Sequence, residues 1–133
     1  MKETEGSLNV WVDGSFSNGA GIGVVIDDGK KKRVYKKSVQ AKTNNQAEYL
    51  SAIFALKKIK QIFGKNVKNF TVKVHSDSQL LVSQMLGKWK IKDDDIKDLF
   101  IELHNLTLDF KKVDFIHVPR KENKLADKLS KAR

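Results

Sequence analysis

Leu8-Asn9-Val10-Trp11-Val12-Asp13-Gly14-Ser15 is the stretch from which the fold is read. Leu8, Val10 and Val12 alternate with Asn9, Trp11 and Asp13, the period-two pattern of a strand whose two faces meet different surroundings. The run stops at Asp13-Gly14, and Ser15, Ser17, Asn18 and Gly19 follow with loop chemistry. A carboxylate is therefore expected where a buried strand leaves its sheet and the backbone opens to solvent. Asp-Gly is also a common turn pair, so the meaning of Asp13 depends on the acids that follow it.

Outward from this strand, Gly21–Ile26 reads as a second strand and Asp27-Asp28-Gly29-Lys30 as a hairpin turn. Arg33–Gln40 reads as a third strand, anchored by Val34 and Val39. Strands joined this tightly form an antiparallel meander. The period then changes. From about Asn45 to Phe63, Ala47, Leu50, Ile53, Leu56 and Ile59 follow helical spacing, Lys57, Lys58 and Lys60 take the other face, and Gly64 stops the helix. Thr43 or Asn44 is its expected cap. Phe70–His75 is a fourth strand, and Asp77–Leu86 a short helix that starts on an acid and ends at Gly87. Asp93-Asp94-Asp95 opens a helix through about Leu108; acids at a helix start favour its dipole. Val113–Val118 is a fifth strand, closed by Pro119, and Glu122–Lys131 a last helix with Leu125 and Leu129 inward. A meander followed by strand–helix alternation predicts an α/β fold, a mixed sheet with helices on both faces and its later strands parallel.

At 133 residues the chain is expected to form one domain, residues 1–133. Lys and Arg outnumber Asp and Glu by 26 to 16, a formal charge of +10, which favours a polyanionic partner such as nucleic acid, or an acidic membrane surface, over a charge that merely aids solubility. Affinity for such a partner is expected to fall steeply with salt. Arginine is scarce (Arg33, Arg120, Arg133), so lysines acting as point charges are the expected recognition device. Cysteine is absent, which removes disulfides, cysteine metal sites and cysteine nucleophiles. No apolar run has the length of a membrane span, and Met1–Gly6 lacks the apolar centre of a signal peptide. The expectation is a soluble cytoplasmic protein without a membrane partner.

Four acids fall on four elements: Asp13 ends the first strand, Glu48 lies one turn into the long helix, Asp77 begins the next helix, and Asp127 lies in the last. Glu48 and Asp127 fall near the apolar stripes of their helices. An isolated buried carboxylate is costly, so acids so placed must be paired, capped or coordinated. Few basic residues are available in the expected core, and hard oxygen ligands favour magnesium or manganese over zinc.

The motifs Val12-Asp13-Gly14-Ser15, Thr43-Asn44-Asn45-Gln46-Ala47-Glu48-Tyr49, His75-Ser76-Asp77-Ser78-Gln79 and Glu122-Asn123-Lys124-Leu125-Ala126-Asp127-Lys128-Leu129 resemble those of the type 1 ribonucleases H. The closer likeness is to the compact archaeal and bacterial branch that lacks a lysine-rich protruding handle, and it runs from about Leu8 to Lys131. The resemblance implies a ribonuclease H-like fold, a five-stranded mixed sheet of three antiparallel and two parallel strands with Asp13 on its central strand. It implies two magnesium ions held by Asp13, Glu48, Asp77 and Asp127, with Asp13 bridging both ions and manganese as an alternative metal. The implied reaction is hydrolysis of the RNA strand of an RNA–DNA hybrid, leaving a 5′-phosphate and a 3′-hydroxyl. The resemblance further implies that Gly14 and Ser15 contact ribose 2′-hydroxyls, that Asn44, Asn45 and Gln79 read the minor groove, and that Thr43 forms a pocket for a DNA phosphate. Trp89, between Lys88 and Lys90, resembles an aromatic that lies along the DNA strand; a lid on the core is the other reading.

Two departures stand out. The arginine usual two residues before the threonine is replaced by Ala41, with Lys42 as the substitute, and a point charge is not a fork. The loop before the last acid is short, so His117 reads as structural and Arg120 becomes the candidate for an assisting role. His75, His104 and the Asp93–Asp95 run read as ordinary structural residues. The rival readings are a non-catalytic nucleic-acid-binding module of the same fold, the nuclease part of a retroelement polyprotein, and a nuclease that also cuts double-stranded RNA. A stand-alone monomer is the expectation.

Overall fold

The computed structural model describes residues 6–132; the Met1–Glu5 start read above for a leader, and Arg133, lie outside the described residues. Alternation produces the first strand, β1 (Gly6–Phe16), in which Leu8, Val10 and Val12 are buried on one face. β2 (Ala20–Asp27) and β3 (Lys32–Val39) complete the meander. α1 (Asn44–Phe63) leads through a 3-10 turn, Gly64–Asn69, into β4 (Phe70–Ser76). Two helices follow, α2 (Gln79–Met85) and α3 (Asp94–Thr107), joined by residues 86–93 with no intervening helix. β5 (Lys112–His117), a 3-10 turn at Arg120–Glu122 and α4 (Lys124–Lys131) end the described chain.

The sheet order is β3-β2-β1-β4-β5. β1 pairs antiparallel with β2, and β2 with β3, while β1–β4 and β4–β5 are parallel. This is the mixed five-stranded sheet with β1 at its centre. Val24 and Ile26 of β2 and Val72 and Val74 of β4 join Leu8, Val10 and Val12 against α1 and α3, and this single layer of apolar side chains is the core. Tyr49 of α1 is fully buried in it and donates its hydroxyl to Gln84 Oε1 of α2 at 2.6 Å. α4 covers β2 and β1 from the opposite face. Among the described residues no helix is long and apolar enough to cross a membrane.

Three local expectations change. On β3, Val34 is 50% exposed, and Tyr35 turns to the core instead, edge-on to Phe54 at 5.8 Å. The pairing Tyr35↔Val24 sets that register, because Val24 faces α1. On α4, Leu125 is 45% exposed and Leu129 half-buried, while Ala126 and Ser130 are buried. A Cβ at Gly23 would lie 2.2 Å from the Ala126 carbonyl oxygen and 2.7 Å from the Leu129 Cβ, so α4 packs its backbone onto β2 at this glycine. Finally, Asp77 precedes α2 rather than beginning it. Ser78 is the cap, its hydroxyl accepting from the Leu81 amide at 3.1 Å. Thr43 caps α1 in the same way from Gln46.

Candidate active site

Register brings the first two acids together. Val12 pairs with Ser76 at the end of the parallel ladder, so Asp13 and Asp77 lie side by side where β4 stops, while β1 does not end at Asp13-Gly14 as expected but runs on to Phe16 against β2. Crevices at such strand ends are where α/β sheets bind ligands. Glu48 arrives from α1 because Gly14 has no side chain: a Cβ there would lie 2.2 Å from the carbonyl carbon and oxygen of Ala47. With the helix this close, the Gly14 amide donates to Glu48 Oε1 at 2.9 Å. Asp13, Glu48 and Asp77 each offer an oxygen within 4.8 Å of the others.

Asp127 lines the same cleft from α4 but stands outside that group of three, its carboxylate 3.1 Å from Lys131 Nζ. Arg120 also lines the cleft, with Nε 3.9 Å from Asp77 Oδ2. That Asp77 oxygen is buried and accepts no hydrogen bond among the described residues. Gly14, Ser15 and Asn44 border the cleft, which encloses about 320 Å³.

Like charges in a dehydrated site hold their protons. Asp13 is only 4% exposed, and burial first, then the charges of Asp77 and Asp127, push its carboxyl up to about 7. A hydrogen bond from Ser130 acts in the opposite direction. Burial and then the Asp13 charge push Glu48 up to about 9. Three hard-oxygen donors, one with an orphaned buried oxygen, suit a small divalent cation, whose charge removes both penalties at once.

Sequence reading missed several residues that build the site. Ser130 donates its hydroxyl to Asp13 Oδ2 at 2.7 Å, with the Asp127 carbonyl a second acceptor at 2.8 Å. Its own carbonyl accepts from the Ser15 hydroxyl at 3.0 Å. Asn123 is buried and donates Nδ2 to the Val12 carbonyl at 2.9 Å, pinning the start of α4 to β1. The signal for Ser130 was a hydroxyl three residues after Asp127, one turn on along the same helix. Lys131 could have been found as its i+4 partner.

The remaining expected residues divide. Asn44 Oδ1 accepts from the Phe16 amide at 2.7 Å and ties the β1 loop to α1. The Lys42 amide donates to Gln46 Oε1 at 2.6 Å, leaving its side chain exposed. Asn45 and Gln79 are exposed at the starts of their helices. Trp89 is 46% exposed among Lys88, Lys90 and Lys92. His117 ends β5 and is exposed, not enclosed within the strand.

Residues 11–133 match the family profile described as reverse transcriptase-like. A bifunctional protein of Mycobacterium tuberculosis is 33% identical over 114 residues, which are 84% of this chain and 30% of the relative. Ribonuclease HI of Halobacterium salinarum is 30% identical over 130 residues, 94% of this chain and 63% of the relative. The chain thus spans less than two thirds of either relative. Among solved structures, LC11-RNase H1 in complex with RNA/DNA hybrid superposes with a TM-score of 0.84 at 32% identity, covering 92% of both chains. RNase H1 of Halobacterium salinarum superposes with a TM-score of 0.83 at 29% identity, covering 94% of this chain and 95% of that one. With the acids at its strand ends and these matches along nearly its whole length, the chain belongs to the reverse transcriptase-like family, among the type 1 ribonucleases H.

Proposed function

We propose that the chain is a metal-dependent endonuclease that hydrolyses the RNA strand of RNA–DNA hybrids, leaving a 5′-phosphate and a 3′-hydroxyl. The observation that carries this reading is the meeting of Asp13, Glu48 and Asp77, from three elements, within 4.8 Å. The likeness to LC11-RNase H1, solved with an RNA/DNA hybrid, supplies the substrate class. Asp13, Glu48, Asp77 and Asp127 are the residues that would hold two magnesium ions, or manganese, with Asp13 shared. The ions would lower the pKa of an attacking water and offset charge on the departing 3′ oxygen.

The chain's own residues do the rest. Burial keeps Asp13 dehydrated, and Ser130 fixes the direction of its Oδ2. Lys131 and Arg120 line the cleft beside Asp127 and Asp77 and offer positive charge to a phosphate entering it. Gly14 and Ser15 border the cleft where a ribose 2′-hydroxyl would separate RNA from DNA. Thr43, Asn44, Asn45 and Gln79 flank it at two helix starts, with Lys42 and exposed Trp89 as outer contacts for the DNA strand. Ala41, in place of an arginine, favours a second reading in which double-stranded RNA is also cut. We take residues 1–133 as one domain, monomeric; a cysteine-free chain acting on nucleic acid fits the cytoplasm.

The test is cleavage of a labelled hybrid with magnesium, beside matched duplex RNA and duplex DNA, for the wild type and Asp13→Asn. Cutting confined to RNA, and abolished both by chelator and by the substitution, is the expected result. Tight binding without any cutting would replace the enzyme by a binding module, and cutting of duplex RNA would establish the broader nuclease.

A further inference from the structure

Between Gly29 and Ala47 the chain carries seven basic residues and no acid, although its net charge is only +10. Most of these cations lie on β3, which is an edge of the sheet. Lysines on an edge strand guard against edge-to-edge pairing, but that role requires nothing beneath them. Here the cations are seated. Lys37 lies 5.7 Å above the Phe54 ring, Arg33 5.5 Å above Phe63, and Lys58 of α1 5.2 Å above Tyr35 and 5.5 Å above Phe54. Rings under these three stems reduce the freedom of their charged heads and hold them on the α1 side of the edge, while Lys36, opposite Gly23, extends the charge to the other side of the same edge strand. Among the described residues, Arg33 has an acidic partner, Asp28 at 3.2 Å, whereas Lys36, Lys37 and Lys58 have none. The ledge runs through Lys42 to Thr43, at the start of the helix whose Asn44 and Glu48 border the cleft.

We propose that the β3 edge with Lys58 is a second contact surface for nucleic acid, taking backbone phosphates of a duplex that extends beyond the cleft. The inference rests on the endonuclease reading for its ligand. Eight strand residues span about 26 Å, a length over which each strand of a duplex presents about eight phosphates. Point-charge lysines with a single arginine suit contacts that position the duplex without reading its sequence.

The experiment measures binding by fluorescence anisotropy with calcium, using hybrids of about 12 and about 36 base pairs between about 50 and 200 mM salt. Lys36→Gln/Lys37→Gln/Lys58→Gln is compared with the wild type and with Lys73→Gln/Lys111→Gln/Lys112→Gln, a charge-matched change on β4 and around β5 at the opposite edge. Thermal melting verifies that each variant is folded. On the long hybrid, the ledge variant's salt slope should fall by about 2–3, so that the fourfold salt rise weakens it roughly 16- to 64-fold less than it weakens the wild type. On the short hybrid the slope should match the wild type. An unchanged slope on the long hybrid would overturn the proposal. An equal fall in the opposite-edge variant would do the same, leaving net charge as the cause. Because the readout is binding, failure of the wild type to cleave would overturn the endonuclease reading without touching this one.

Discussion

Replacing Glu48 by Gln should stabilise the metal-free protein, by an amount that grows with pH. Burial and the Asp13 charge hold the Glu48 carboxyl up to about 9, against an ordinary value of 4.5. The folded chain therefore binds this proton more tightly than the unfolded chain. The resulting stability is fully present below about 4.5 and is lost as pH rises through about 9. A tenfold difference in proton affinity between the two states corresponds to about 1.4 kcal/mol. Glu48 is only partly buried and lines the open cleft, so taking half of the rise leaves about 3 kcal/mol. Gln retains an oxygen for the Gly14 amide and never ionises, so it escapes this loss. With an unfolding entropy of about 2.1 cal/mol/K per residue over 133 residues, 3 kcal/mol corresponds to about 10 °C. Calorimetric melting of both proteins in chelator from pH 5 to 9.5 is the assay. The curves should lie close together at pH 5 and separate by up to this amount at the alkaline end. Parallel curves would refute the reasoning, because they would mean that Glu48 is ionised in the fold without cost.

Divalent cation binding at pH 7 should release about one proton in total from Asp13 and Glu48, and affinity should rise with pH; titration calorimetry in two buffers of different ionisation enthalpy counts it. Gly14→Ala drives a Cβ against the Ala47 backbone, which cannot yield as a side chain tip would. Cleavage should fall about 100-fold as Glu48 is displaced, with about 1–3 kcal/mol lost from stability, read by single-turnover kinetics and urea melts. Ser130→Ala removes the hydrogen bond that opposes the rise of the Asp13 carboxyl. It should raise the magnesium concentration for half-maximal cleavage and move the acid limb of the pH–rate profile upward, while Ser130→Thr restores both.

The order of elements and the position of Asp13 were legible because they depend on local alternation and on turn residues. β1 shows the period of two, α1 the period of 3.6, and Gly64 and Gly87 end what precedes them with positive φ. Which face of β3 points inward was not legible, since its cations occupy both faces and the register comes from Val24 across the strand. The inward face of α4 was hidden for a different reason. Leu125 and Leu129 look like anchors, but the helix lies so close to Gly23 that Ala126 and Ser130 are the residues buried beneath it, with Leu129 half-buried beside them and Leu125 exposed. The same applies to the site: the four acids stand out as types in a pattern, whereas Ser130 and Lys131 acquire their roles only from the approach of α4 to β1.

Two glycines on neighbouring central strands thus determine where the acids meet. Gly14 admits α1 on one face and delivers Glu48; Gly23 admits α4 on the other and delivers Asp127 with Ser130. Neither helix could shift to relieve crowding among the carboxyls without losing its backbone contact, so the burial, and after it the repulsion, that raise Asp13 and Glu48 are built in by the sheet. The α4 half of this arrangement depends on contacts of very long range. Asn123 reaches Val12 across 111 positions, and Ser130 reaches Asp13 across 117. Closing loops of this length has an entropic cost that must be met before the contacts repay it. α4, only eight residues long, thus adds a fourth acid and the Ser130 hydrogen bond to a cleft whose other three acids already meet from β1, α1 and the residue after β4.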